Sequence, residues 1–224
     1  MHDEVDTGNP RTDDNTADTE YLPGASWPQV LAIGVIVAAL AFALGWKIQA
    51  GGTPSADSVY VGFLRDMIDH HDQANLMSQL VLRPGVDVDP QVAAYATEIL
   101  MDQRFQIGQM TAWLDDWGVG RGDPDRQAME WMVGGHGTPV DEMFGMQSPE
   151  KIEELEAATG EEASQLYLEM MIDHHQGGIH MADDAARNAD QEKVRALAER
   201  VSRYQAGETA DLRNLQRRLG FEVT

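Results

Sequence analysis

The pentapeptide Met-Ile-Asp-His-His occurs twice in the chain, at 67–71 and at 171–175, and it contains four of the seven histidines. Each copy begins with a methionine, and a further methionine follows each copy. Neutral imidazole is the commonest metal ligand in proteins, and thioether sulfur beside imidazole favours Cu(I) over harder ions such as Zn(II) or Fe(II). The candidate copper ligands are therefore His70, His71, His174, His175, Met67, Met77, Met171 and Met181.

Helical spacing divides the four histidines into two pairs. The first stripe consists of Phe63, Met67, His70, Ala74, Met77 and Val81, and the second of Tyr167, Met171, His174, Gly178, Met181 and Ala185. Residues at alternating steps of four and three share one face of a helix. His70 and His174 are therefore predicted to meet in a core, flanked by four thioethers and by Asp69 and Asp173. His71 and His175 lie ~100° further round, at the edge of each stripe.

The same residues also fit a purely structural role. Methionine fills irregular gaps in cores, and a buried histidine can simply bond an aspartate. Two adjacent histidines in each copy favour binding over packing, since desolvated rings need partners. A weaker cluster comprises His136 with Met143 and Met146, and His180 with Asp184.

Several function classes find no support in the sequence. No Glu stands three residues before a histidine, as a ferritin-type di-iron site requires, and no Ser/His/Asp order or phosphate loop is recognisable, so we expect no enzyme. Cysteine is absent, which removes disulfides and thiolate ligands. The net charge of −22 argues against a nucleic-acid partner and is typical of a solvated acidic surface.

The N-terminal part predicts a membrane anchor. Residues 1–26 are polar and acidic and are predicted to be a disordered tail. The uncharged segment from Trp27 to Trp46 is long enough for a ~30 Å hydrocarbon layer, so we predict a single transmembrane helix over 27–48. Residues 49–56 are the predicted linker. The size of the C-terminal part and the lack of cysteine favour a single-pass cell-membrane protein whose C-terminal domain is extracytoplasmic.

Beyond the linker the sequence predicts an all-α fold. Residues 57–220 form a ferritin-like four-helix bundle of two duplicated helical hairpins, 57–117 and 161–220, joined by a Met- and Gly-rich connection over 118–160 that contains short helical pieces. The duplication extends into the second helix of each hairpin, where Ile99, Gln103 and Met110 correspond to Val201, Gln205 and Leu212. Asp89-Pro90, a Thr159/Glu162 capping box and Gly220 mark helix ends.

The duplicated segments at 63–74 and 167–178 resemble the bacterial ferritin-like family known as domain of unknown function 305. Gly145-Met146-Gln147-Ser148, Leu155, Gly160 and Gln205 also match its order, so the resemblance covers about 56–219. The resemblance implies an exported or membrane-anchored helical bundle, and some members are associated with copper binding and resistance. The chain departs from the family at two positions where an aspartate is common, here Tyr60 and Ser164.

Two functions follow as expectations. The first is a membrane-anchored, extracytoplasmic protein that stores or passes Cu(I) without catalysis, possessing a copper-handling or membrane-complex partner. The second is a metal-free accessory subunit of a larger membrane assembly.

Overall fold

Helices make up most of the computed structural model, which describes residues 26–49, 54–55 and 57–223. The helices are α1 (Trp27–Gln49), α2 (Val59–Val81), α3 (Pro90–Asp116), α4 (Pro149–Ala157), α5 (Gly160–Asn188) and α6 (Glu192–Leu219), and two short strands are β1 (Gln127–Ala128) and β2 (Thr138–Pro139). The predicted helical architecture agrees with this arrangement.

The membrane-spanning part of the fold prediction is wrong. The segment 27–48 is helical, as α1, but none of the helices in the described residues has both the length and the apolar character that a bilayer span requires. The described residues belong to two separate units, one within 1–52 and one within 53–224. The predicted disordered tail, except Ser26, and most of the predicted linker lie outside the described residues.

The second unit is built from two hairpins that meet along α2 and α5. Helix α2 packs on α3, α5 packs on α6, and α2 contacts α5 across the middle. All residues of the two predicted stripes are buried, as their spacing requires. Methionines from both stripes share each of two apolar clusters: Met67 lies with Met181, and Met77 with Met171. This exchange of partners is what two antiparallel copies related by a pseudo-twofold axis produce.

Local signals explain most helix ends. The Asp89 side chain accepts a hydrogen bond from the backbone N–H of Gln91, with Pro90 as the first helical residue. Helix α6 stops at Gly220, whose φ of 78° is left-handed. The capping box predicted at Thr159 is wrong, because its side chain makes no cap bond in the described structure. Instead, the backbone N–H of Gly160 donates to the carbonyl of Val86 at 2.6 Å, so a contact with the loop between α2 and α3 holds this helix start.

The connection between the hairpins is fastened to α2 by one buried carboxylate. The Asp66 side chain accepts hydrogen bonds from Arg126 at 2.6 Å and from Met129 N and Trp131 Nε1, each at 2.7 Å. Burial raises the pKa of Asp66, and these donors oppose the shift. The Trp131 ring lies on Gly62, where an added Cβ would come within 2.3 Å of it. The connection, for which short helical pieces were expected, therefore begins as a small antiparallel ladder anchored to α2, and it continues through a 3-10 turn at Val140–Glu142.

Candidate functional site

The inner histidine pair lies where α2 crosses α5. The ring centroids of His70 and His174 are 3.7 Å apart with 31° between the ring planes, and both side chains are fully buried. Two ligands held at ~2 Å from one ion are separated by at most ~4 to 5 Å, so the rings are close enough to share an ion. Imidazole lone pairs lie in the ring plane, and a shared ion would therefore sit at the rim of the stacked rings.

The outer pair is also fully buried, although its helical positions are at the edge of each stripe. His71 Nε2 lies 2.9 Å from Gln106 Oε1, and His175 Nε2 lies 2.7 Å from Glu208 Oε2. Both oxygens are acceptors, so each Nε2 carries the proton and donates it. The neutral rings then carry their lone pairs on Nδ1. Donation of the other ring N–H to a carboxylate or amide oxygen is the usual way in which proteins orient a histidine ligand.

The four imidazoles present buried nitrogens that have no hydrogen-bond partner among the described residues. These atoms are Nδ1 and Nε2 of His70 and His174, and Nδ1 of His71 and His175. The side-chain amides of Gln103 and Gln205 are also buried without partners in the described structure. We call the four histidines with these two glutamines the histidine chamber. Unpartnered polar atoms are costly in a core, so the chamber departs strongly from a structure made for packing alone.

The small residue Gly178 lies beside the chamber. An added Cβ at Gly178 would come within 2.2 Å of Gln205 Oε1. Gly178 therefore makes room for an amide from α6 and not for an imidazole. Gln103 occupies the equivalent position of the sequence repeat in the first hairpin.

Burial lowers the pKa of His70, His71 and His174 and so favours their neutral form. Desolvation lowers the pKa of His71 to about 4, and the nearby His175 adds to this effect, while the bond to Gln106 opposes it. Desolvation and neighbouring imidazoles lower the pKa of His70 and His174 well below the usual value. The backbone of Phe144 acts against this lowering of the His70 pKa, although the contact lies outside normal hydrogen-bond geometry. Neutral rings keep the lone pairs that a metal needs.

Residues 144–147 form a strap over this part of α2 and α5. Gln73 and the backbone of Gln147 exchange two hydrogen bonds, of 2.8 and 2.7 Å. On the other side the carbonyl of Phe144 lies so close to Gly177 that a Cβ there would meet it at 2.0 Å. Gly145 takes a left-handed φ of 82° between these contacts. The strap is therefore held by both hairpins at once.

Replacing Gly177 by Ala is expected to lower the free energy of unfolding by about 2 kcal/mol, because the methyl group must push the Phe144 carbonyl off α5. Urea unfolding followed by circular dichroism measures the change. Gly207→Ala on α6 is the matched control, since no described atom lies within 4 Å of its added Cβ. That variant should gain about 0.5–1 kcal/mol from helix propensity. Equal effects of the two substitutions would contradict the role assigned to Gly177.

The acidic residues expected around the inner pair lie elsewhere. Asp69 pairs with Arg121 and Arg126, and Asp173 is exposed. The four candidate methionines are all fully buried, two in each apolar cluster. Within the described residues no group of three or more His, Asp or Glu side chains is arranged to hold a metal ion. The predicted copper ligands therefore stay a prediction. Such a site would need imidazole and thioether donors together.

The weaker predicted cluster is not assembled as one group. Met143 is buried in the first apolar cluster, and Asp184 is hydrogen-bonded to Asn188. His136 and His180, however, line one cavity together.

The two departures from the family pattern lie far from the chamber. Tyr60 packs edge-on against Trp117, with ring centroids 5.3 Å apart. The Ser164 hydroxyl donates to the Gly160 carbonyl and accepts from the backbone N–H of Asp89. Each position precedes its inner histidine by ten residues, or roughly 15 Å along a helix. Neither substitution removes a group from the chamber.

Sequence reasoning missed Gln106 and Glu208 as partners of the outer histidines. A signal was present, because the two positions are separated by the same 102 residues that relate Gln103 to Gln205.

The family model described as "Domain of unknown function (DUF305)" matches residues 60–216. Among solved structures, a putative secreted DUF305 protein from Streptomyces coelicolor is 30% identical, with a TM-score of 0.67, and the alignment covers 76% of this chain and 99% of that one. A DUF305 fragment from Deinococcus radiodurans is 28% identical, with a TM-score of 0.60 and coverage of 75% and 98%. No curated protein matches the chain.

CopM in its Cu(II)-bound form shares the fold at 22% identity, with a TM-score of 0.55 and coverage of 72% and 97%. These likenesses do not support the ferritin-like description of the bundle. The family model covers well over half of the chain, and the duplicated histidine segments lie inside the match. The chain therefore belongs to the DUF305 family.

Proposed function

We propose that this protein is an extracytoplasmic Cu(I)-binding protein that stores or passes the ion without catalysis. The observation that carries the proposal is the histidine chamber, with its buried ring nitrogens that lack partners in the described structure. Solved structures of the similar protein CopM include Cu(I)-, Cu(II)- and Ag-bound forms, and another similar structure is described as a putative secreted protein. These likenesses support the proposal.

The inner and outer histidines have different parts in the proposed binding. The Nδ1 atoms of His71 and His175 offer lone pairs, which Gln106 and Glu208 orient by accepting the Nε2 protons. His70 and His174 supply the central pair of rings. The buried thioethers of the two stripes lie beyond this pair, as two donors in each apolar cluster. Imidazole and thioether together prefer a soft, monovalent ion.

Anaerobic titration with Cu(I), in competition with a chromophoric chelator, tests the proposal on the full chain. We expect the double variant His70→Ala, His174→Ala to bind its tightest ion at least about 100-fold more weakly, since it loses two candidate ligands. Met101→Leu is the control, because this methionine is 67% exposed on α3 and should not affect binding. Unchanged affinity in the double variant, with the fold intact by circular dichroism, would sink the proposal.

A second candidate function is a metal-free interaction module. It is favoured by a groove between α3 and α6 that is lined by Phe105 and Tyr204, both well exposed. Exposed apolar side chains along a groove are typical of protein contact surfaces. Purification of the native protein without copper but with a stable protein partner would favour this function over the first.

A further inference from the structure

A cavity of about 370 Å³ lies on the connection side of α5, apart from the histidine chamber. Its lining includes Met129, Met132, His136, Glu142, Phe144 and His180. His180 follows His174 by six residues, roughly 9 Å along the helix. The cavity lining contains none of the chamber histidines, although Phe144 borders both places, and the function proposed above does not use the cavity.

The part of the chain that forms this cavity is held firmly. Met129 has a φ of 65°, a left-handed conformation that a residue with a side chain rarely adopts. Its backbone N–H is bonded to the buried Asp66 carboxylate, which keeps the turn in place. Gly135 lies against the Met129 carbonyl, where an added Cβ would come within 2.3 Å. Strained backbone that is fixed by buried contacts is found preferentially at functional sites.

The cavity lining offers thioether and imidazole donors, together with one carboxylate, that of Glu142. Met129 and Met132 are only 6% and 9% exposed and belong to the first apolar cluster, so they line the cavity from its core side. His136 and His180 are exposed, and neither ring has a hydrogen bond or ion pair within the described residues. The edge of Phe144 packs against the His180 ring, with centroids 4.8 Å apart. Two thioethers with two free imidazoles form a donor set for a soft ion.

We propose that this cavity is a second binding site, for a soft monovalent cation, with Met129, Met132, His136 and His180 as its ligands. The site takes its ion from solvent, because both imidazoles are exposed while both thioethers are buried. None of its four proposed ligands belongs to the histidine chamber.

The test uses Ag(I) and the full chain carrying His70→Leu and His174→Leu, so that the chamber pair cannot contribute. With 13C-methyl methionine labelling, we expect the Met129 and Met132 methyl resonances to shift on addition of Ag(I), with assignments from Met129→Leu and Met132→Leu. Adding Met132→Leu and His180→Ala to this background should weaken Ag(I) binding at least about tenfold. Met101→Leu in the same background is the control and should leave binding unchanged.

Two results would overturn the second site. One is the absence of any Ag(I)-dependent shift at the Met129 and Met132 methyl groups. The other is displacement of Ag(I) by equimolar Zn(II), which would indicate imidazole and carboxylate ligands without the thioethers. Loss of Cu(I) binding at the chamber alone leaves these readouts unaffected, so failure of the proposed function and failure of the second site are distinguishable.

Discussion

The double variant His70→Leu, His174→Leu is expected to be more stable than the native protein in the absence of metal, by about 2 kcal/mol, and to lose Cu(I) binding at the chamber. The four ring nitrogens of this pair are buried without partners in the described structure. Each such atom costs about 1–3 kcal/mol, and an apolar side chain of similar size removes that cost. Imperfect packing of the two leucines offsets part of this gain in stability.

Urea unfolding of the chelator-treated proteins measures this change. The single variant His70→Leu should gain roughly half as much, because His174 keeps its unpartnered nitrogens. A fall in stability in the double variant would contradict the assignment, since it would mean that the imidazoles stabilise the core. A gain in stability with a loss of binding would identify the pair as a site maintained at the expense of the fold.

Acidification from pH 7 to pH 4 is expected to destabilise the metal-free protein by at least about 3 kcal/mol. The pKa of His71 is lowered to about 4 from 6.5, so the unfolded state takes up its proton first. The stability that neutral His71 contributes is complete above pH 6.5, and it is lost as the pH falls toward 4. His70 and His174 act in the same direction, since burial lowers the pKa of both.

Asp66 acts in the opposite direction. Burial raises the pKa of Asp66, so its contribution to stability is complete at acid pH and is lost as the pH rises through the folded value. Urea midpoints measured at half-unit steps of pH give the net slope. The His70→Leu, His174→Leu variant should show a shallower loss in acid, because only His71 of the three remains to titrate. Equal slopes in the two proteins would contradict the neutral state assigned to the inner pair.

The sequence predicts the helices that carry the inner histidines better than it predicts the contacts around them. Helical spacing correctly predicts that His70 and His174 meet, because heptad positions depend only on local geometry. The start of α3 at Asp89-Pro90 and the end of α6 at Gly220 are likewise determined by neighbouring residues. The approach of the two rings follows once two copies of one hairpin pack face to face.

What spacing could not predict depends on distant segments. Asp66 resembles any other acid on a helix, and its burial requires Met129 and Trp131 to return from more than 60 positions away. Glu208 stands in a strongly charged helix and resembles a solvated residue. Thr159 makes no side-chain cap bond, and the helix start is held instead by the distant Val86 carbonyl, which accepts from Gly160 N–H. Apolar composition also wrongly predicted a membrane span over 27–48.

The outer histidines have partners of different charge, and this difference bears on which ion the proposed site would prefer. Gln106 is neutral, whereas Glu208 places one carboxylate beside His175. A neutral imidazole ligand adds no charge of its own. One negative charge compensates a monovalent cation, but a divalent cation would leave one positive charge uncompensated where water is largely excluded. In the copper site proposed above, this charge balance would favour Cu(I) over Cu(II), in addition to the preference that the ligand atoms express.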